Sequence, residues 1–219
     1  MYFNGQNVKS LSSQKFRGWR NLFSLPLLLG GVEMLKQRDL QDCSILFELM
    51  AHPDVFPFVR HKANSYEEFL FITRQAIELE EQGKMISRTI MDEWGNPIGN
   101  ISLHDIEDGY GFLGTWLGKP YHGMGYNKPA KDAFFHELFH EQGINSIFMR
   151  IRKVNKRSFY AASKLPYATL ANETRSCLYN EINQNEEIYD LFEITKDNYL
   201  LHTLREDYQQ LEVTHLKEA

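Results

Sequence analysis

The amino-acid sequence predicts one α/β domain, with elements in the order strand, helix, helix, three strands, helix, strand, helix, strand. Three observations carry that prediction. Segments with apolar residues at helical spacing alternate with short runs rich in β-branched and aromatic residues. Glycine, proline and asparagine mark the breaks between them. No internal repeat or low-complexity tract interrupts the pattern, and 219 residues with 42% hydrophobic content suit one large domain with a sizeable core.

Val32 to Lys36 reads as a short strand. Leu40, Cys43, Leu46, Phe47 and Met50 fall on one helical face, and Pro53 and Pro57 end that helix. Ser65 is the N-cap of a second amphipathic helix, with Glu67 and Glu68 in its first turn and Gly83 at its end. A strand from Met85 to Met91 and another from Ile98 to Leu103 flank Glu93-Trp94-Gly95-Asn96-Pro97, so they form a hairpin. Gly109 to Gly111 turns the chain into a third strand, Phe112 to Leu117. A loop rich in glycine then runs into a helix from about Lys128 to Gln142, with Pro129 in its first turn and Gly143 as its stop. Ile144 to Ile151 follows as a buried strand, Asn155 to Lys164 as a short helix and Ile188 to Ile194 as a late strand. The stretch after Tyr199 is a polar helix or tail over residues 201–219.

Composition narrows the function. With 24 Lys and Arg against 29 Asp and Glu, the net charge is -5, which argues against gripping nucleic acid by bulk charge and favours a cationic or neutral small partner. Cys43 and Cys177 form no CxxC spacing, so neither a disulfide framework nor a cysteine zinc site is implied, and a cytoplasmic location fits. Residues 1–31 carry +4 and no acid, whereas the rest carries -9. This is the composition of a basic, extended or disordered arm. Its apolar run is short and broken by Pro26, which argues against a signal peptide. No apolar run reaches the ~20 residues of a membrane span.

The loop Gly118-Lys119-Pro120-Tyr121-His122-Gly123-Met124-Gly125-Tyr126-Asn127 joins a strand to a helix. Such a loop gathers backbone N–H groups at the positive end of the helix, the makings of a phosphate cradle. Two glycines alone more often make a tight turn, and the spacing matches neither the six-residue dinucleotide fingerprint nor a P-loop. Downstream, Asn155-Lys156-Arg157-Ser158 opens the short helix that ends in Lys164-Leu165-Pro166-Tyr167.

In this ordered combination the sequence resembles the GNAT superfamily of acyl-CoA N-acyltransferases over about residues 32–200. It is most similar to the branch of RimJ- and RimL-type ribosomal-protein N-terminal acetyltransferases. Leu113-Gly114-Thr115-Trp116-Leu117 stands for the family's strand before the pyrophosphate loop, Gly123-Met124-Gly125 for the loop, and Asn155 with Ser158 for its Asn-x-x-Ser element. Departures are Pro120 where Gln or Arg is usual, Lys128-Pro129 where an acidic residue is common, Pro166-Tyr167 for Gly-Phe, and Ala162 where many relatives place a Tyr acid.

The resemblance implies a mixed, mostly antiparallel central sheet flanked by helices, with two splayed parallel strands, Phe112 to Leu117 and Ile144 to Ile151. It implies acetyl-CoA as co-substrate and an amine acceptor that attacks the thioester directly. Cofactor contacts fall to Trp116, Leu117, His122, Gly123, Met124, Gly125, Tyr126, Asn127, Asn155, Ser158 and Lys164. Ser158, or alternatively Tyr160, would protonate the departing thiolate. Ser158 is equally well a helix-start serine bonding locally. For a base, His104, Asp105, Glu173 and Glu181 are candidates that read more simply as solvated surface residues. Arg150, Arg152, Lys153, Lys156 and Arg157 can hold the CoA 3'-phosphate or form a solvated edge. Loops 51–65 and 104–111, with Phe58 and Tyr66, would shape the acceptor pocket. An α-amine is roughly a tenth free base at pH 7, which favours a peptide N-terminus or a low-pKa small amine over lysine. A homodimer is compatible with this reading.

Two rivals stand beside it. His136-Glu137-Leu138-Phe139-His140 matches the HExxH helix of zinc metallohydrolases, in which two His bind metal and Glu activates water. The metzincin third-His position is Ser146, and His136 and His140 lie off the face made by Ala130, Phe134 and Leu138. The other rival is a non-catalytic acyl-CoA-binding module of the same fold.

Overall fold

A computed structural model describes residues 28–29, 32–184 and 186–217, so most of the basic arm expected at residues 1–31 lies outside it. The part that is described, β1 (Leu28–Leu29), pairs antiparallel with β2 (Val32–Glu33). The main sheet has seven strands: β3 (Leu35–Gln37), β4 (Ile86–Met91), β5 (Pro97–Glu107), β6 (Tyr110–Leu117), β7 (Ser146–Arg152), β8 (Ala168–Leu170) and β9 (Tyr189–Thr195). Their spatial order is β3-β4-β5-β6-β7-β9-β8. All neighbours are antiparallel except β6 and β7. The parallel pair follows from its connection, since a helix must carry the chain back before β7 can begin.

Local chemistry builds the elements. The β4–β5 hairpin closes because the Asp92 carboxylate accepts from the Trp94 and Asn96 N–H groups at 3.0 and 2.8 Å, while Gly95 supplies the left-handed backbone at φ 80°. Helix α1 (Cys43–Met50) follows a 3-10 turn capped by Asp39. Helix α2 (Tyr66–Glu81) starts where the Ser65 hydroxyl accepts from the Glu68 N–H at 3.2 Å and the Glu68 carboxylate accepts from the Asn64 N–H at 2.6 Å. The two helices bury Cys43, Leu46, Met50 and Phe69 with Val55 and Val59 in one core cluster.

Helix α3 (Asn127–His140) buries Ala130, Phe134, Phe135, Leu138 and Phe139 against Ile101, Leu103 and Ile147 in a second cluster. The polar C-terminal helix, α6 (Lys196–Lys217), begins directly after β9 rather than beyond Tyr199. Buried Tyr199 packs on the Phe135 and Phe139 rings at 6.2 and 5.1 Å. Two elements carry no signal in the sequence pattern, β8 and α5 (Ser176–Ile182), and β5 runs on to Glu107 instead of stopping at Leu103. Ahead of β8, α4 (Lys156–Ser163) sits where the sequence predicts the short helix. Buried Arg88 on β4 ties the layers together, donating to Glu80 of α2 at 2.6 Å and to both carboxylate oxygens of Glu137 of α3. Among the described residues, no helix is long and apolar enough to cross a membrane.

Candidate active site

The ladder between β6 and β7 holds only at Tyr110↔Ser146, Gly111↔Ile147 and Phe112↔Phe148. Beyond it β6 stays with β5 as far as Gly99↔Leu117, and β7 stays with β9 as far as Arg152↔Tyr189, so the two strands part. The Gly118 N–H donates to the Ile98 carbonyl at 2.8 Å, which sets the alternation: Trp116 and Gly114 face β5 with their backbone groups. Leu113, Thr115 and Leu117 therefore turn theirs toward the opening, and the Leu117 carbonyl is taken by His122 Nε2 at 2.8 Å.

A cavity of about 520 Å³ occupies this opening and crosses the sheet. On one side it meets Asn127 and Lys131 of α3 and Asn155, Ser158 and Ala162 near α4; on the other it meets Arg38, Ala76, Ser87, Ser102 and His104. Trp116 lines it from β6.

At the end of β6 the glycine loop adopts the backbone that only glycine takes easily, φ 80° at Gly123 and 94° at Gly125. A Cβ at either place would meet nothing within 4 Å, so conformation rather than crowding calls for glycine. Among the described residues, the N–H groups of Gly123, Gly125, Tyr126 and Asn127 make no hydrogen bond, and α3 has no side-chain cap. That is an open anion cradle. Met124 is exposed at its tip, and the Tyr126 hydroxyl, buried beneath, donates to Glu93, whose bond pushes the phenol up to about 12.

Asn155 caps α4, its Oδ1 accepting from the Ser158 N–H at 3.1 Å. This gives the Asn-x-x-Ser spacing a structural cause. The Ser158 hydroxyl makes no hydrogen bond among the described residues and lines the cavity. Tyr160 stands 62% exposed outside the lining, and Lys164 is the exposed C-cap of α4.

The α2 side of the cavity was poorly visible in the sequence. His104, read as solvated, is buried. Its ring lies over Gly114, where a Cβ would come within 2.9 Å of its Nε2, and meets His61 edge-on at 5.0 Å. Burial, then the charges of Arg60, His61 and Arg150, push its pKa down to about 2, so the imidazole is neutral. Asp105 is exposed and bonds Arg60 at 2.5 Å; Glu173 is exposed; Glu181 faces a separate cavity beside Cys177. Phe58 lines the main cavity, whereas Tyr66 packs edge-on against Phe47. Among the described residues, the lining contains Arg38, Arg60, Lys62, Lys131, Arg150 and Arg152 and no Asp or Glu.

The HExxH segment forms no metal centre. Glu137, which would activate water, is held by Arg88. The His136 and His140 rings stack at 4.3 Å, and His140 Nδ1 contacts the His136 carbonyl at 3.0 Å. Among the described residues, no group of three or more His, Cys, Asp or Glu is placed to hold a metal ion. The zinc-hydrolase reading fails on these contacts.

The family model described as Acetyltransferase (GNAT) domain matches residues 34–167, more than half of the chain and including the diverging strands and the glycine loop. The chain belongs to the GNAT acetyltransferase family. Solved GNAT structures share the fold at low identity. An acetyltransferase from Salmonella typhimurium that modifies the N-terminal serine of ribosomal protein L7/L12 is 20% identical, with a TM-score of 0.59 over 73% of this chain and 91% of that one. FdhC, a nucleotide-linked sugar GNAT, is 13% identical, with a TM-score of 0.64 over 79% and 92%. Spermidine N-acetyltransferase from Vibrio cholerae, solved with CoA and spermine, is 13% identical, with a TM-score of 0.61 over 76% and 96%. No curated protein sequence matches.

Proposed function

We propose that this GNAT protein transfers an acetyl group from acetyl-CoA to a primary amine, a peptide N-terminus or a small amine. The observation that carries the reading is the parting of β6 and β7 directly before a loop of unbonded N–H groups. The cradle of Gly123, Gly125, Tyr126 and Asn127 suits a pyrophosphate, and the gap-facing backbone of Leu113 and Thr115 suits the amides of a pantetheine arm. Trp116, Leu117, His122, Met124 and Asn155 border that path, with the Leu117 carbonyl already bonded to His122. Lys164 and Arg157 are exposed cations near α4 suited to an outer phosphate.

Bound acetyl-CoA supplies a thioester that a free amine attacks without a covalent enzyme intermediate. The backbone N–H groups facing the gap stabilise charge developing on the carbonyl oxygen. Ser158, with its hydroxyl unbonded in the cavity, is the proton donor to the leaving sulfur; Tyr160 is the weaker candidate because it stands outside the lining. No carboxylate in the lining serves as base, and His104 is too weakly basic to hold a proton. The acceptor therefore delivers its proton to water, and water returns a proton to the Ser158 oxygen, so that the enzyme ends the step unchanged.

Calorimetric titration with acetyl-CoA tests this directly. The wild type binds; Gly123→Val and Gly125→Val remain folded and lose affinity by roughly tenfold or more, since each forces a side chain into left-handed backbone beside the phosphates. Unaltered affinity in both variants sinks the cradle. Replacing His136 and His140 together leaves transfer unchanged. CoA binding without acetylation of any amine would leave a non-catalytic module.

A further inference from the structure

The cavity's charge is at odds with that of the whole protein. The chain has more acids than bases, yet the cavity is lined by six Arg and Lys side chains and no carboxylate. Phosphates at the glycine loop do not account for all of them, because Arg38 lies on the opposite side of the sheet, packed among residues of α2. Its guanidinium donates to the Thr73 hydroxyl at 2.8 Å and lies 5.7 Å from the Phe69 ring centre, while its Nε is buried with no partner among the described residues. Asp42, the carboxylate that acts on it from a distance, is bonded to Lys36 at 3.1 Å. Arg150, on the open half of β7, lies 5.3 Å over the Phe112 ring and makes no ion pair among the described residues. Arg60 is neutralised by Asp105. A buried donor and a cation without a counter-ion are costly unless a ligand completes them.

We infer that the acceptor is an amine bearing an anionic group, a carboxylate or a phosphate, and that Arg38, aided by Arg150, holds that group on the α2 side of the sheet. The inference rests on the acetyltransferase reading and names its substrate class. The Arg38 guanidinium lines the cavity and makes no ion pair among the described residues, so it offers a charge-assisted bond to an anionic oxygen. A polyamine enters the same cavity against repulsion, with no carboxylate to receive it. Net charge alone favours a cationic or neutral partner; the lining of the cavity narrows that to an amine with an anionic group.

The experiment compares matched amines after CoA binding has been verified by calorimetry. Thiol release is followed with O-phosphoethanolamine against ethanolamine, with 4-aminobutyrate against butylamine, and with spermidine. The anionic member of one pair is expected to have the higher kcat/KM by roughly tenfold or more, with spermidine lowest. The pair that shows the preference distinguishes phosphate from carboxylate. Arg38→Gln removes the preference with CoA affinity unchanged, and Arg38→Lys restores part of it.

A second readout does not need turnover. Inorganic phosphate or glutarate, at fixed ionic strength and with CoA saturating, raises the melting temperature of the wild type and not of Arg38→Gln. Equal rates within both pairs, a preference for spermidine, or no turnover together with no anion-dependent stabilisation overturns the inference. Absence of CoA binding sinks the acetyltransferase reading instead; the stabilisation by phosphate or glutarate, measured then on the free protein, still decides the role of Arg38.

Discussion

Arg88 and Arg38 are both guanidiniums drawn away from water, and their surroundings are opposite. Arg88 sits between Glu80 and Glu137, and these bonds hold its pKa above the ordinary value despite its burial. Arg38 has a hydroxyl, an aromatic ring and an unpartnered Nε, and burial holds its pKa below the ordinary value. The first arrangement is complete as it stands and joins β4 to two helices. The second lines a cavity and is complete only with something in it. Satisfaction of a buried charge thus separates a cation that holds the fold from one that serves a ligand.

Substitutions can break this contrast. Arg88→Met strands Glu137 beside the core and is expected to lower unfolding free energy by about 3 kcal/mol or more, read from urea denaturation; a loss below 1 kcal/mol would mean that the clamp is ornamental. The next largest effect is one of pH. His104 is neutral in the fold with a pKa of about 2, against about 6.5 in the unfolded chain. Below pH 6.5 the unfolded state binds the extra proton, so stability falls on acidification by up to about 1.4 kcal/mol per pH unit. His104→Gln flattens that slope if the histidine is its source. Gly114→Ala drives a methyl to 2.9 Å from His104 Nε2 and costs roughly 1–3 kcal/mol, with acceptor KM affected more than CoA affinity. The smallest effect belongs to Arg38→Met, which leaves stability within about 1 kcal/mol or raises it. A large loss there would make Arg38 a second structural clamp.

What could be read from the sequence follows the range of the forces involved. The Ser65 cap, the Glu93-to-Pro97 turn and the glycine loop before α3 are each settled by a few neighbouring residues, and each was legible, although the part of Asp92 in closing that turn was not. So was the Asn155–Ser158 spacing, whose cause is one cap hydrogen bond. His104 was not legible, because Asp105, Glu107 and Asp108 give its surroundings a polar look. Its burial comes from β6 and from His61, more than forty positions away in the chain. Arg38 follows Lys36 and precedes Asp39 in the sequence, which suggests a ready counter-ion; in the fold Asp39 and Asp42 pair with Lys36, and Arg38 meets Thr73 and Phe69 of α2 with no ion pair among the described residues. Helix α5 and β8 are short and take their form from distant partners, α5 from Phe112, Phe148 and Leu191 and β8 from its ladder with Phe192 to Ile194. Glu137 has the opposite history: a local motif suggested zinc chemistry, and Arg88 from another strand assigned it elsewhere.

The short ladder between β6 and β7 has one more consequence. A sheet interrupted in its middle is like an arch missing a stone, and a ligand whose amides meet Leu113 and Thr115 takes that stone's place. The cofactor is then part of the masonry as well as a source of acetyl groups. On the acetyltransferase reading, added CoA is expected to raise the protein's resistance to heat and proteases, which limited digestion with and without CoA measures.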